Sequence, residues 1–152
     1  MSVCINHLRR EHIYKIMEWR NAQMEWLRQD KPLTVEDQER WFNTYIDGLT
    51  TYCPPNYFYA IYHFRDFVGY GGLVHIDWDK MEAETSFLLN PDIENVEEIY
   101  REFMVLLIKQ AVKKFELKRI TSETFANRTS HIEMLERFGW IRTTVKHEIL
   151  IV

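Results

Sequence analysis

The 152-residue chain contains few residues that interrupt secondary structure or form disulfide cross-links: five glycines, four prolines and two cysteines. So few cysteines argue against a disulfide-stapled secreted domain, and we expect Cys4 and Cys53 to be reduced thiols. No apolar run approaches the ~20 residues that cross a bilayer, and no basic stretch followed by an apolar one opens the chain. These absences predict a cytoplasmic protein with no membrane partner.

The chain also has no excess of positive charge. It contains 19 Lys and Arg and 23 Asp and Glu, which gives a net charge of −4. This balance disfavours non-specific nucleic-acid binding, which depends on neutralising phosphates. No Cys or His pair has the spacing of metal ligands, so no metal is expected. What the chain does have is 46% hydrophobic residues, 14% of all residues being aromatic, which is enough for a packed core. We expect one domain over residues 1–152.

The hydrophobic periodicity predicts an α/β fold, with a mixed sheet and helices on both faces, in the order β-α-α-β-β-β-α-β-α-β. A helix that joins two neighbouring strands requires a crossover, so the strands before and after the long helix 96–115 should be parallel. Only 12 residues follow Trp140, which predicts a single last strand. The predicted elements are strand 3–8, a helix from 10 that breaks near 20, helix 34–48, strands 57–64, 67–77 and 82–89, helix 96–115, strand 119–125, helix 127–138 and strand 145–152.

Five segments, in a fixed order, resemble the GNAT superfamily of acyl-CoA-dependent N-acyltransferases over nearly the whole chain. The closest likeness is to the branch with ribosomal-protein N-terminal acetyltransferases and amino-sugar or sugar-nucleotide acetyltransferases. The segments are Trp19-Arg20-Asn21; the run 28–34 leading to Gln38 and Trp41-Phe42; Gly72-Leu73-Val74-His75-Ile76-Asp77; Ala83-Glu84-Thr85-Ser86-Phe87-Leu88-Leu89; and the span from Arg119 through Asn127 to Gly139-Trp140.

The resemblance implies an acetyl-CoA donor held in a V-shaped splay between strands 84–89 and 119–125. Backbone groups released by the splay would pair with the pantetheine amides, as in strand addition. The donor-binding residues it implies are Phe87, Leu88, Leu89, Asn95, Val96 and Asn127. The primary amine of an amino sugar, a sugar nucleotide or a protein N-terminus would attack the thioester directly, helped by positioning, a backbone oxyanion donor and a general base. Asn127 is equally well explained as a helix N-cap.

The resemblance also implies catalytic and acceptor residues, each with a simpler alternative. Glu84 is a candidate general base, or else a strand carboxylate paired with a cation. His75 is a second base candidate, since imidazole titrates near neutral pH, or else a solvent-facing histidine. Arg20 and Asn21 would lie near the acceptor, where Arg20 can grip an anion with its planar fork or form a salt bridge. Trp41 would line the acceptor cleft or belong to the core.

One segment departs from the family pattern, which has a glycine-rich loop that closes backbone N–H groups around the donor's pyrophosphate. The matching stretch, residues 90–100, has no glycine and carries Asp92, Glu94, Glu97 and Glu98. A like charge at ~4 Å costs about 1 kcal/mol in water and about 4 kcal/mol near a protein surface. Two alternatives therefore stay open: a non-catalytic binding module, as a homodimer or in an assembly, or an acyltransferase with a carrier-protein donor.

Overall fold

The structure, a computed structural model, describes residues 2–47, 53–125, 127–143 and 147–150. The predicted helix end at Gly48, part of the loop that follows and parts of the last predicted strand lie outside these residues. The strands and helices are β1 (Val3–His7), α1 (Ile13–Asn21), α2 (Val35–Phe42), β2 (Tyr57–His63), β3 (Asp66–Asp77), β4 (Glu82–Leu89), α3 (Val96–Lys113), β5 (Arg119–Ser122), α4 (Thr129–Phe138), β6 (Ile141–Arg142) and β7 (His147–Leu150).

The strands form one mixed sheet in the order β1-β2-β3-β4-β5-β7-β6. Strands β1 to β4 are antiparallel neighbours, whereas β4 and β5 are parallel because α3 carries the chain back across the sheet. The predicted α/β fold with its mixed sheet is confirmed, and the order of strands and helices is as predicted up to α4. The prediction of a single strand after Trp140 is wrong, because the short strand β6 pairs with β7 in an antiparallel hairpin.

Helices cover both faces of the sheet, as predicted. On one face α3 and α4 pack over the larger apolar cluster, which includes Phe103, Leu107 and Leu135. On the other face α1 contributes Ile16 and Trp19 to a smaller cluster against the strands. The sheet is therefore packed from both sides, including its central strands, where the candidate site lies.

Two local contacts set the position of α2 and hence of the loops above the sheet. A capping box begins the helix: Asp37 N–H donates to Thr34 Oγ1 at 3.1 Å, and Thr34 N–H donates to Asp37 Oδ2 at 3.0 Å. These bonds hold the pKa of the Asp37 carboxyl below its ordinary value. The buried Gln38 side chain donates from Nε2 to the Ile13 carbonyl at 2.9 Å, which ties α2 to α1.

A bulge interrupts the pairing of β3 with β4 between Val74 and Asp77. His75 has a positive φ of 51°, and its N–H donates to Asn56 Oδ1 at 3.2 Å instead of to β4. Strict alternation along β3, which would place His75 on one face and Val74 on the other, therefore fails here. The bulge leaves the exposed His75 side chain beside Glu84 on the neighbouring strand.

Candidate functional site

A wedge opens between the parallel strands β4 and β5. The ladder pairs Glu82 with Arg119, Ala83 with Ile120 and Glu84 with Thr121, and within the described ranges it goes no further. Strand β5 ends at Ser122 instead of the predicted residue 125, while β4 continues to Leu89. Beyond Glu84 the edge of β4 thus faces a gap.

The direction of the β4 backbone groups follows from its pairing with β3. Asn90 N–H donates to the Val68 carbonyl at 2.8 Å, so alternate residues such as Leu88 also bond to β3. The N–H and C=O groups of Phe87 and Leu89 therefore point into the wedge. The Leu89 carbonyl is already used, because Gln23 Nε2 donates to it at 2.8 Å. Phe87 offers both a donor and an acceptor to a ligand in the wedge.

Two cavities meet at the mouth of the wedge. The first, of about 390 Å³, runs along the wedge and is lined by Glu84 and Phe87 on β4, by Ser122 at the end of β5 and by the three residues 123–125 that follow it. The second, of about 580 Å³, lies between α2 and the sheet and is lined by Trp41, Phe58 and other aromatic side chains. Both are lined by Arg20, Val74, His75 and Ser86.

The two predicted catalytic side chains lie together at this junction. His75 Nε2 is 3.9 Å from Glu84 Oε2, and Arg28 Nη2 is 3.9 Å from Glu84 Oε1. The Glu84 side chain is 17% exposed, whereas those of His75 and Arg28 are 69% and 66% exposed. Arg28 also forms an ion pair with Glu123, which lines the wedge. A half-buried carboxylate next to an imidazole at a cavity mouth is suited to taking a proton through water.

Arg20 is the cation that faces both cavities. Its Nη1 donates to the Tyr70 hydroxyl at 2.9 Å and its Nε donates to Gln29 Oε1 at 3.2 Å. Both partners are neutral, and in the described part of the chain no carboxylate lies within 4.0 Å of the guanidinium. The salt-bridge alternative for Arg20 is therefore wrong in this structure, and its charge is available to an anion.

The other two predicted acceptor residues differ in their placement. Trp41 lines the acceptor cavity, with its ring centroid 5.2 Å from that of Phe58. Asn21 lines neither cavity, and its amide group is used inside the protein. Its Oδ1 accepts from the Leu33 N–H at 2.7 Å and from Gln29 Nε2 at 2.8 Å. Asn21 thus positions the loop that precedes α2.

At the far end of the wedge, β4 gives way to the start of α3. Val96, Leu88 and Leu89 line a smaller cavity of about 150 Å³ there. Asn95 is exposed at the N-cap, and its Nδ2 donates to Glu98 Oε2 at 3.4 Å. Asn127 is exposed in the turn before α4, whose N-cap is Arg128, so the N-cap explanation of Asn127 is wrong.

The acidic side chains that the sequence places in residues 90–100 lie around the start of α3 in the structure. Asp92 and Glu94 are exposed. Glu97 is bound by Arg137, whose Nη2 donates to Glu97 Oε1 at 2.6 Å, and this hydrogen bond lowers the pKa of the Glu97 carboxyl. The Asp92 N–H donates to Asn90 Oδ1 at 3.0 Å and the Ile93 N–H donates to the Asn90 carbonyl at 3.1 Å. These two amides are satisfied within the loop.

Sequence reasoning missed several residues that the fold brings to the site. Arg28 reaches Glu123 across 95 positions of sequence, and Gln23 caps the end of β4. Arg128 lines two of the cavities. Thr124, beside the wedge, has a buried hydroxyl with no hydrogen-bond partner among the residues described. Nothing in the local sequence of these residues distinguishes them from surface residues.

Among the described residues, no helix is long and apolar enough to span a membrane. They also contain no group of three or more His, Cys, Asp or Glu side chains that could hold a metal ion. Cys4 and Cys53 are exposed free thiols.

Comparison with solved structures finds the same fold in spermidine N-acetyltransferases of Vibrio cholerae. The complex with CoA and spermine has a TM-score of 0.84 at 12% identity, over 98% of this chain and 95% of the other. A dodecameric structure in an intermediate state gives 0.80 at 12% identity, over 98% and 94%. A chimera of the same enzyme with hSSAT gives 0.85 at 12%, over 99% and 96%.

Comparison by sequence gives a family but no close relative. No curated protein matches the chain. The family model described as an acetyltransferase (GNAT) domain matches residues 5–150, which is nearly the full length. The chain therefore belongs to the GNAT acetyltransferase family.

Proposed function

We propose that the protein transfers an acetyl group from acetyl-CoA to a primary amine. The observation that carries this proposal is the wedge between β4 and β5, which opens beside Glu84 and His75 onto a second, aromatic cavity. One cavity suits an extended donor and the other a compact acceptor. Their shared mouth is where an amine and a thioester would meet, and positioning of this kind supplies much of the rate enhancement of a two-substrate reaction.

The donor arm would bind as an added strand along β4. The Phe87 N–H and C=O and the Leu89 N–H point into the wedge, where they can pair with the amides of a pantetheine chain. The Thr124 hydroxyl on the opposite wall offers a further hydrogen bond. The Vibrio cholerae neighbour was solved in complex with CoA, which is consistent with a CoA donor in this fold.

In the proposed chemistry Glu84 is the general base, acting directly or through a water held with His75. The donor supplies a thioester, whose carbonyl carbon forms a C–N bond with the amine as its C–S bond breaks. Glu84 receives the proton that the amine loses, and a β4 backbone N–H stabilises the oxyanion. Leu135 on α4 lines the wedge and has no proton to give to the leaving group. A thiolate is stable enough near neutral pH to leave without a side-chain acid.

For the acceptor we propose an amine that also carries an anionic group, such as an amino-sugar phosphate or a sugar nucleotide. Arg20 faces the acceptor cavity and has no described carboxylate within 4.0 Å of its guanidinium, whereas Asp37, which also lines this cavity, is already paired with Arg40. The aromatic side chains of Trp41 and Phe58 provide the flat walls on which a sugar ring can stack. The neighbouring enzyme's spermidine is a polycation, which Arg20 would repel.

The experiment that tests this function is titration of the protein with acetyl-CoA, followed by acetylation assays. We expect measurable donor binding and faster acetylation of glucosamine 6-phosphate than of glucosamine or spermidine. Absence of binding heat at millimolar acetyl-CoA would contradict the transferase and favour the non-catalytic module. Turnover with acyl-carrier protein but not with acetyl-CoA would instead identify a carrier-protein donor.

Arg20→Gln tests the acceptor class. We expect the KM for glucosamine 6-phosphate to rise about 10- to 100-fold, because a charge-assisted hydrogen bond is lost. The KM for glucosamine should hardly change. Arg65→Gln, in the exposed turn after β2, removes the same charge away from the site and serves as the matched control. An equal rise in KM for both sugars would show that Arg20 does not bind the anionic group of the acceptor.

A further inference from the structure

Arg128 lies where the donor wedge meets the start of α3. It is the N-cap residue of α4 and lines both the wedge cavity and the smaller cavity beyond the end of β4. That smaller cavity is also lined by Asn90, Pro91 and Val96, the residues that lead into α3. The Arg128 side chain thus reaches the place where the phosphorylated end of an extended donor would emerge.

Arg128 is partly buried, and its Cζ lies 5.8 Å from the centroid of the Trp26 ring. Burial lowers the pKa of Arg128 from its ordinary value. Across the parts of the chain that are described, no carboxylate lies within 4.0 Å of it. A buried charge without a counter-ion is costly, so an anionic ligand would find here a cation that is already partly desolvated.

The loop before α3, residues 90–95, matches the glycine-rich loop that holds the donor's pyrophosphate in the family pattern. In this chain it is poorly suited to binding phosphate. Two of its amides, those of Asp92 and Ile93, already donate to Asn90. The exposed carboxylates of Asp92 and Glu94 add negative charge beside the start of α3, which opposes an incoming phosphate. If a phosphorylated donor binds, the group that holds its phosphate would therefore come from another element that faces the same cavity.

We propose that Arg128 binds the phosphate of a phosphopantetheine-containing donor in place of a glycine-rich loop. This inference rests on the proposed function, because it assumes that the pantetheine arm lies in the wedge. The planar fork of arginine can hold two phosphate oxygens at once. His131, one turn further along α4, lines both of the same cavities and extends the polar wall. The phosphate can belong to free CoA or to a carrier protein's prosthetic arm.

The test is isothermal titration of the wild type and of Arg128→Gln with acetyl-CoA, acetyl-phosphopantetheine and acetyl-pantetheine. We expect the wild type to bind the two phosphorylated donors more tightly than acetyl-pantetheine. In Arg128→Gln, the affinity for both should fall about 10- to 100-fold, with acetyl-pantetheine unchanged. A loss confined to acetyl-CoA would assign Arg128 to the nucleotide phosphates of CoA, whereas a loss for both assigns it to the phosphate shared with carrier proteins.

Arg65→Gln is the control, with the same change of charge at an exposed turn, and it should bind all three donors like the wild type. Equal losses for all three donors in Arg128→Gln would make the arginine merely structural and overturn the inference. An unchanged preference of Arg128→Gln for phosphorylated donors would also overturn the inference. In both cases the proposed function survives, because the wild type still binds. Failure of the wild type to bind any of the three donors would overturn the proposed function, and this inference with it.

Discussion

Glu84→Gln is expected to lower kcat for acetyl transfer about 10²- to 10⁴-fold, the range for removal of a general base. Glutamine keeps the size of the side chain and can still accept a hydrogen bond, but it cannot take the amine's proton. Donor affinity should stay close to the wild-type value, because Glu84 lies at the mouth of the wedge and the proposed pantetheine contacts lie beyond it, at Phe87 and Leu89. The measurement is steady-state kinetics with a saturating acceptor, together with a donor titration.

Glu82→Gln is the matched control for this substitution. Glu82 lies on the same strand, is 32% exposed and has its Oε2 4.0 Å from Arg119 Nη1. The kcat of the Glu82→Gln variant should stay within about twofold of the wild-type value, as for most surface substitutions. If Glu84→Gln also changed kcat by no more than about threefold, the assignment of Glu84 as base would be wrong, and His75 would become the candidate to substitute next.

Phe103→Ala should reduce the free energy of unfolding by about 3–5 kcal/mol, the usual cost of emptying a buried aromatic position. Phe103 is fully buried on α3. Its ring centroid lies 5.6 Å from that of Phe87, and its Cζ would lie 2.9 Å from a Cβ added at Gly71. Because the ring supports the underside of β4, its loss should also weaken donor binding. Urea unfolding followed by fluorescence or circular dichroism measures the change.

Val105→Ala provides the comparison on the same helix. Val105 is 40% exposed, so its truncation leaves no internal cavity and should change the free energy of unfolding by no more than about 0.5 kcal/mol. A loss of less than about 1 kcal/mol in Phe103→Ala would contradict the packing described for α3 against the sheet.

The sequence predicts the backbone framework well wherever hydrophobic periodicity is strong. Strand 82–89 has the predicted ends, and α3 begins at the predicted Val96. The parallel pairing of β4 with β5 also follows from sequence, because a long helix must cross between them. The weakest predictions are at the end of the chain, where the pairing of β6 with β7 depends on two short segments with no periodic signal.

The geometry of the candidate site depends on contacts between distant residues, which one sequence cannot reveal. The bulge at His75 and the register that sets Val74 opposite Glu84 together bring the two predicted base candidates within 3.9 Å. Strand register is fixed by packing and turn geometry, so a shift of one residue would have separated them. The contact of Arg28 with Glu123 has no local signature at all.

Amide hydrogen exchange can show whether the donor's pantetheine arm binds in the wedge beside β4. Exchange of the Phe87 and Leu89 amides should be measured with and without millimolar acetyl-CoA. Slower exchange of both amides on addition of the donor, with the β3-bonded amide of Leu88 little changed, is the predicted result. Unchanged exchange at Phe87 and Leu89 in a protein that nevertheless binds acetyl-CoA would show that the pantetheine arm does not bind along β4.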